Sequence, residues 1–273
     1  MGAREVMNLV IAGAFSKFKE LSVFFLENKI YKRNKITVYD GINECSWNGG
    51  RINRKVYWSQ SQIDFYYNRD IGIGLTFTNH EININDKVGL SLLDKFHISG
   101  NKIILINDHL REFIRKNYPY YRLTYSVTGV GHIPIPLNDE ALDIYKDLEA
   151  KYDLIVPRME HVFDVRFKEL DQSKYEIMLN DTCIYNCPHY TEHFMAIATQ
   201  NLLRRNYKGH EEIEECWIDG YDFKKSKNGK HGMDLCLEQI RVLQKQGINS
   251  FKLSGRELNS EEFVNELRYY ARW

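Results

Sequence analysis

The chain has 273 residues, 43% of them apolar, and 37 lysines and arginines balance 37 aspartates and glutamates. Length and apolar content suit one α/β barrel domain with a full core, and the balanced charge excludes a global field that would draw the protein to DNA or an anionic membrane, leaving only local basic patches. Five cysteines, an odd set without a secretion signal, point to a reducing, cytoplasmic setting in which thiols serve chemistry or packing.

In chain order, Met7 to Ala12 reads as a first strand and Phe15 to Asn28 as an amphipathic helix. The apolar run Leu9 to Phe15 is too short for an export signal, since Lys17, Lys19 and Glu20 follow at once. No stretch is apolar for the length of a bilayer crossing. Further strands are expected at Ile36 to Asp40, Ile71 to Thr78, Lys102 to Asn107, Tyr121 to Thr128, Leu154 to Pro157, Tyr175 to Asn180 and Ser250 to Ser254. Helical patterns fall between them at Ser59 to Tyr67, Asp108 to Asn117, Asp139 to Lys151 and His189 to Arg205. A last helix opens on the cap Asn259, with Glu262 in its first turn and Phe263, Leu267 and Tyr270 on one face.

Strand and helix alternating at this spacing predict parallel pairing, and eight units predict closure into a single-domain (β/α)8 TIM-like barrel over residues 1–273. An open doubly wound sheet is the rival, but no glycine-rich phosphate fingerprint follows the first strand. The cadence breaks from 206 to 233, where a polar segment with Glu211, Glu212, Glu214, Glu215 and a run of lysines forms a long cysteine-bearing loop between strands seven and eight. Irregular excursions of that length are commonly functional, and this one is expected to cover the barrel mouth.

A barrel assigns its active face to the loops after strand ends. That gathers Cys45, Ser46, Trp47, Asn48 and Arg51, then Asn79, His80, Asp108, His132, Arg158, Glu160, His161, Cys183, Cys187 and Arg256 on one side. Asn48, Arg51, Arg158 and Arg256 are the candidate substrate contacts. Three arginines around one cavity would favour an anionic small molecule, whereas a lysine and arginine surface from Arg204 to Lys230 would favour RNA. A protein partner is the further possibility for a binding role.

The stretch Asp181-Thr182-Cys183-Ile184-Tyr185-Asn186-Cys187-Pro188-His189 carries the strongest chemical signal. Pro188 suits a first helical position, which puts Cys187 at the cap among unpaired N–H groups, where a thiol readily becomes a metal ligand or a nucleophile. With Cys216 and Cys236 downstream, the four thiols read first as a cluster site. Zinc is the competing metal, since His189 and His193 lie four apart on the following helix and could complete a tetrahedral set with Cys183 and Cys187. Cys45 is read as a neighbour of the pocket. Cys236 shares a helical stripe with Ile240 and Leu243, so burial as a small hydrophobe is its plain alternative. There is no Gly-x-Ser-x-Gly elbow, no His-Glu-x-x-His helix and no Walker-type loop.

Asp234-Leu235-Cys236-Leu237 together with Gly247-Ile248-Asn249-Ser250-Phe251-Lys252-Leu253-Ser254-Gly255-Arg256 resembles the collagenase-like peptidase family U32, as do Asn8 to Gly13 and Val38 to Gly41. The chain looks like a short, divergent member. The resemblance implies a barrel holding a [4Fe–4S] cluster on four cysteines, here Cys183, Cys187, Cys216 and Cys236. Despite the peptidase label it also implies oxygen-independent hydroxylation, or a related modification, of a substrate held at the C-terminal face. Cys236 matches the family element directly, whereas Cys-Ile-Tyr-Asn-Cys-Pro replaces a more glycine-rich region and Ser254 stands where the family has glutamate. A metal-pinned barrel that binds without catalysis is the alternative; a protease is the weakest reading.

Overall fold

A computed structural model of the chain describes residues 7–42, 44–49, 56–181, 183–204 and 233–272. Arg51, Cys216 and nearly all of the expected covering segment lie outside these residues.

The strands are β1 (Asn8–Ala12), β2 (Lys35–Asp40), β3 (Gly72–Phe77), β4 (Lys102–Leu105), β5 (Arg122–Tyr125), β6 (Leu154–Ile155), β7 (Glu176–Met178), β8 (Asn180–Asp181), β9 (Met233–Asp234) and β10 (Ser250–Leu253). All but β8 and β9 form one parallel sheet of eight strands in the order β6-β5-β4-β3-β2-β1-β10-β7. A parallel bridge from Ile155 to Tyr175 joins its two ends, so the sheet curls into the expected (β/α)8 barrel.

Parallel strands are buried on both faces, and the side-chain period of two sorts their residues accordingly. Outward positions such as Leu9, Ile11, Val38, Ile73, Leu75, Ile103, Leu105, Leu123, Ile177, Phe251 and Leu253 form the main core against the helices. Inward, Val10, Ala12, Tyr39 and Ile104 make a small separate cluster. The rest of the interior is polar, with Thr37, Thr76, Lys102, Thr124, Glu176, Ser250 and Lys252 all buried.

The helices are α1 (Phe18–Asn28), α2 (Gln60–Tyr67), α3 (Lys87–Lys95), α4 (Asp108–Asn117), α5 (Asp139–Lys151), α6 (Tyr190–Arg204), α7 (Leu237–Lys245) and α8 (Ser260–Tyr270). Side-chain oxygens of Ser59, Asp86, Asn107, Asn138 and Asn259 accept from first-turn N–H groups and start α2, α3, α4, α5 and α8. In α8 the capping box of Asn259 with Glu262 and the buried face Phe263, Leu267 and Tyr270 follow the sequence pattern. No helix among the described residues is long and apolar enough to cross a membrane.

Several boundaries differ for local reasons. The first helix opens at Phe18 because the Asp40 carboxylate takes the N–H groups of Phe15 (3.1 Å) and Ser16 (2.8 Å), holding those residues in a turn. The helix α3 escaped the sequence reading, since Gly89 dilutes its periodicity, yet Asp86 caps it by accepting from Val88 and Gly89. The fifth strand ends at Tyr125 and the chain passes into a 3-10 turn over Val127–His132, opened by Ser126 accepting from Thr128 N–H. The expected strand Tyr175 to Asn180 is two pieces. After Met178 the chain leaves the barrel, and β8 pairs antiparallel with β9, which includes the last residue of the segment expected to be irregular.

Candidate functional site at the barrel mouth

A cavity of about 100 Å³ opens at the C-terminal end of the strands, lined by Tyr39, Thr78, Asp181, Phe194, Lys252 and Arg256 among others. The second strand delivers Tyr39, the last strand delivers Lys252, and the turn after it delivers Arg256. Phe194 comes from α6, which lies close on the 3-10 turn after β5. At Gly131 of that turn an added Cβ would stand 2.2 Å from Thr191 Oγ1, so the approach needs glycine there.

Below the cavity the barrel holds an unusual charge set. Lys102 Nζ meets Glu176 Oε2 at 2.5 Å, and the Ser250 hydroxyl donates to the same oxygen at 3.1 Å. Gly74 makes room for this pair, since a Cβ there would come within 3.1 Å of both Lys102 Cγ and Tyr39 Cβ. Burial works against the Glu176 anion, but the ammonium groups of Lys102 and Lys252 outweigh it and hold the carboxylate below its ordinary range. One carboxylate is thus paired with one lysine and biased by the charge of a second.

Lys252 is the second of them. Its ammonium stands 4.7 Å from the centroid of the Tyr39 ring, a cation–π contact, and makes no hydrogen bond or ion pair among the described residues. Burial pushes its pKa down to about 8; Glu176 and Asp181 oppose that shift, and the positive charges of Lys102 and Arg256 reinforce it. Burial also raises the Tyr39 phenol, which stays protonated and points its hydroxyl at the Leu253 carbonyl.

Arg256 completes the positive rim. Its Nη1 lies 3.5 Å from Asp40 Oδ1, and its guanidinium carbon stands 5.6 Å from the Tyr39 centroid. Asp40 already accepts from Phe15 N, Ser16 N and the Ser16 hydroxyl through one oxygen and from Gly41 N through the other. Arg256 Nη1 and the Thr78 hydroxyl are both buried with no hydrogen-bond partner among the described residues. Buried donors are normally satisfied, and each of these two could still donate to a further acceptor.

The other sequence candidates divide. Asn48 is buried and its side-chain oxygen accepts from Thr76, a cavity residue, while Asn79 ties the same loop to the Ala198 carbonyl of α6. Arg158 is committed to structure: it pairs with Glu160 at 3.3 Å, donates to the Gly131 carbonyl at 2.9 Å and lies over the Tyr190 ring. His161 is buried between the Tyr145 hydroxyl and the Pro134 carbonyl, each at 2.9 Å. Cys45, expected beside the pocket, instead packs in the main core outside the barrel.

Cys183 and Cys187 are buried and share one apolar cluster with Tyr190, flanked by Val127, Ile184 and Phe194. The helix after them starts at Tyr190, later than the proline predicts, with Pro188 and His189 in a turn closed by Tyr190 N donating to the Cys187 carbonyl at 3.3 Å. Cys236 is not part of that apolar cluster. It is the N-cap residue of α7, its N–H donating to Gln239 Oε1 at 2.8 Å, and the N–H of Leu235 before it donates to the Leu179 carbonyl at 2.8 Å. Cys236 is exposed, so the buried stripe expected with Ile240 and Leu243 starts only beyond it. Among the described residues no three His, Cys, Asp or Glu side chains converge as a metal site. Of the histidines in the zinc set, His189 lies 3.6 Å from Glu192 with 41% of its side chain exposed, whereas His193 is buried. Of the four expected cluster thiols, the described residues bring Cys183 and Cys187 together.

Sequence reasoning overlooked Lys102, Glu176, Lys252, Tyr39 and Asp40. The signal was present as single charged residues inside apolar strand runs, in Lys102-Ile103-Ile104-Leu105, Glu176-Ile177-Met178 and Phe251-Lys252-Leu253.

No protein-family model matches the chain, and no curated protein matches it in sequence. In structure it is similar to the U32 peptidase Mk0906, with a TM-score of 0.57 over 93% of this chain and 95% of that one, at 10% identity. The likeness is one of fold.

Proposed function

We propose that the chain is an iron–sulfur enzyme of the U32 kind, cytoplasmic, that hydroxylates or otherwise modifies a small anionic molecule at the barrel mouth. The observation that carries the reading is the buried Arg256 Nη1, which makes no hydrogen bond among the described residues and only a 3.5 Å ion contact with Asp40, set beside Lys252 in a cavity whose wall includes Phe194 from the helix after Cys183 and Cys187. In this reading Arg256 and Thr78 hold the anionic group, Lys252 takes up or returns a proton, and Phe194 keeps water from the reacting end. The confined volume favours a small molecule; RNA, entering only by an exposed base, is the other substrate the positive rim could serve.

A [4Fe–4S] cluster on Cys183, Cys187, Cys216 and Cys236 would supply electron transfer to such a reaction. The apolar shell of Cys183 and Cys187 suits it. Cys236 is exposed and outside that apolar cluster, and Cys216 lies outside the described residues. A second reading is a barrel whose metal only pins the covering loop while the mouth binds a partner.

Anaerobic purification with iron, sulfide and zinc analysis tests the proposal. Brown protein with about four irons and matching sulfide supports it. Stoichiometric zinc without sulfide would sink it.

A further inference from the structure

We propose that Lys252 is a reactive amine which condenses with the carbonyl group of a ligand, so that the mouth takes a carbonyl compound bearing a carboxylate or phosphate, with Arg256 holding the anion. This rests on the mouth being the substrate site, as above, but not on the cluster.

A lysine becomes a nucleophile when it is desolvated and placed near other cations, because both conditions favour the neutral amine. Both are met here. Lys252 is 4% exposed and lines the cavity, and its neighbours inside the barrel include one carboxylate already engaged by a second lysine. The groups facing it are Tyr39 from β2, Lys102 from β4, Glu176 from β7, Asp181 from β8 and Arg256 from its own turn. The two carboxylates oppose loss of its proton, while burial and the two cations favour it, and the balance leaves a pKa of about 8. A large neutral fraction is thus present near pH 8, whereas an ordinary lysine at 10.5 is almost wholly charged. The Tyr39 ring, 4.7 Å away, favours the ammonium form, but Lys252 makes no salt bridge among the described residues that would have to break before it loses its proton.

The step balances without an added oxidant. The amine nitrogen attacks the carbonyl carbon, one nitrogen proton passes to the carbonyl oxygen to give a carbinolamine, and that hydroxyl leaves as water with the second nitrogen proton, forming the C=N bond of the imine. Arg256 fixes the distance between carbonyl and anionic group, which selects oxo acids or phosphorylated aldehydes over neutral ketones.

Reductive trapping decides it. The purified protein, with its iron content assayed on the same sample, is treated with limiting pyruvate and cyanoborohydride, which delivers hydride to the imine carbon, and the modified lysine is mapped by mass spectrometry. The expected result is one dominant adduct at Lys252, with a rate that rises with a midpoint near pH 8. Pyruvate should exceed acetone by about ten-fold, and Arg256→Gln should remove that preference. Because the wild-type protein is mapped, the result does not depend on Lys252→Met folding. Iron-free protein that still traps at Lys252 supports this inference while counting against the cluster; iron-loaded protein labelled only on surface lysines overturns it and leaves the cluster standing. Equal trapping of pyruvate and acetone would overturn the role given to Arg256.

Discussion

Lys102 and Glu176, 74 residues apart in sequence, meet at 2.5 Å inside the barrel, where other barrels place branched apolar layers. Breaking a buried pair leaves an uncompensated charge, so Glu176→Gln, which would leave Lys102 and Lys252 facing each other without an anion, should cost about 3–5 kcal/mol in denaturant unfolding. The double change Lys102→Met with Glu176→Leu should regain part of that loss, since Lys252 still lacks its anion. A single change within about 0.5 kcal/mol of wild type would mean the pair is open to water.

His161 gives the fold a pH dependence. The Pro134 carbonyl only accepts, so Nε2 carries the proton and Nδ1 accepts from Tyr145, a neutral ring. Burial lowers its pKa below 6.5, the Pro134 hydrogen bond opposes this and Arg158 adds to it. As the pH falls below 6.5 the unfolded chain takes up this proton before the folded one does, so stability from this group is present above 6.5 and declines below it. Unfolding midpoints measured from pH 8 to 5.5 should fall, and less steeply in His161→Gln. Parallel curves for the two proteins would exclude His161 as the group.

Arg256→Lys keeps the charge but loses the planar fork. If Arg256 holds an anion, binding of inorganic phosphate measured by titration calorimetry should weaken about ten-fold for each ~1.4 kcal/mol removed, with the unfolding midpoint little changed. Undiminished phosphate binding would assign Arg256 to its contact with Asp40 alone.

Much of the barrel is legible in the sequence because the parallel strands are buried on both faces and so read as short apolar runs between capped amphipathic helices; Asn259 with Glu262 was readable to the residue. The ends of the strands were less so. Nothing local distinguishes Met178, the last residue of β7, from Asn180, which turns away to pair with β9, because that choice is made by residues 53 or more positions downstream. The position of the cavity at the strand ends was legible, and its lining was not. Arg256 follows the last strand, as a barrel-mouth residue should, but Arg158 sits at an equivalent place and is consumed by Glu160 and Gly131. Which of two arginines meets a cavity depends on neighbours brought from other strands. Lys252 was passed over because a lone lysine in a strand ordinarily faces solvent, and only closure of the sheet turns it inward.

The most direct test of the central claim is diffraction from crystals of anaerobically purified protein, recorded on both sides of the iron absorption edge. The account predicts one strong iron signal beside Cys183 and Cys187 at the barrel mouth, with Cys216 and Cys236 drawn to it and the signal lost in Cys183→Ser but kept in Cys45→Ser. A mouth with no iron signal while Cys183 and Cys187 remain packed on Tyr190, or a signal at the zinc edge alone, would contradict it.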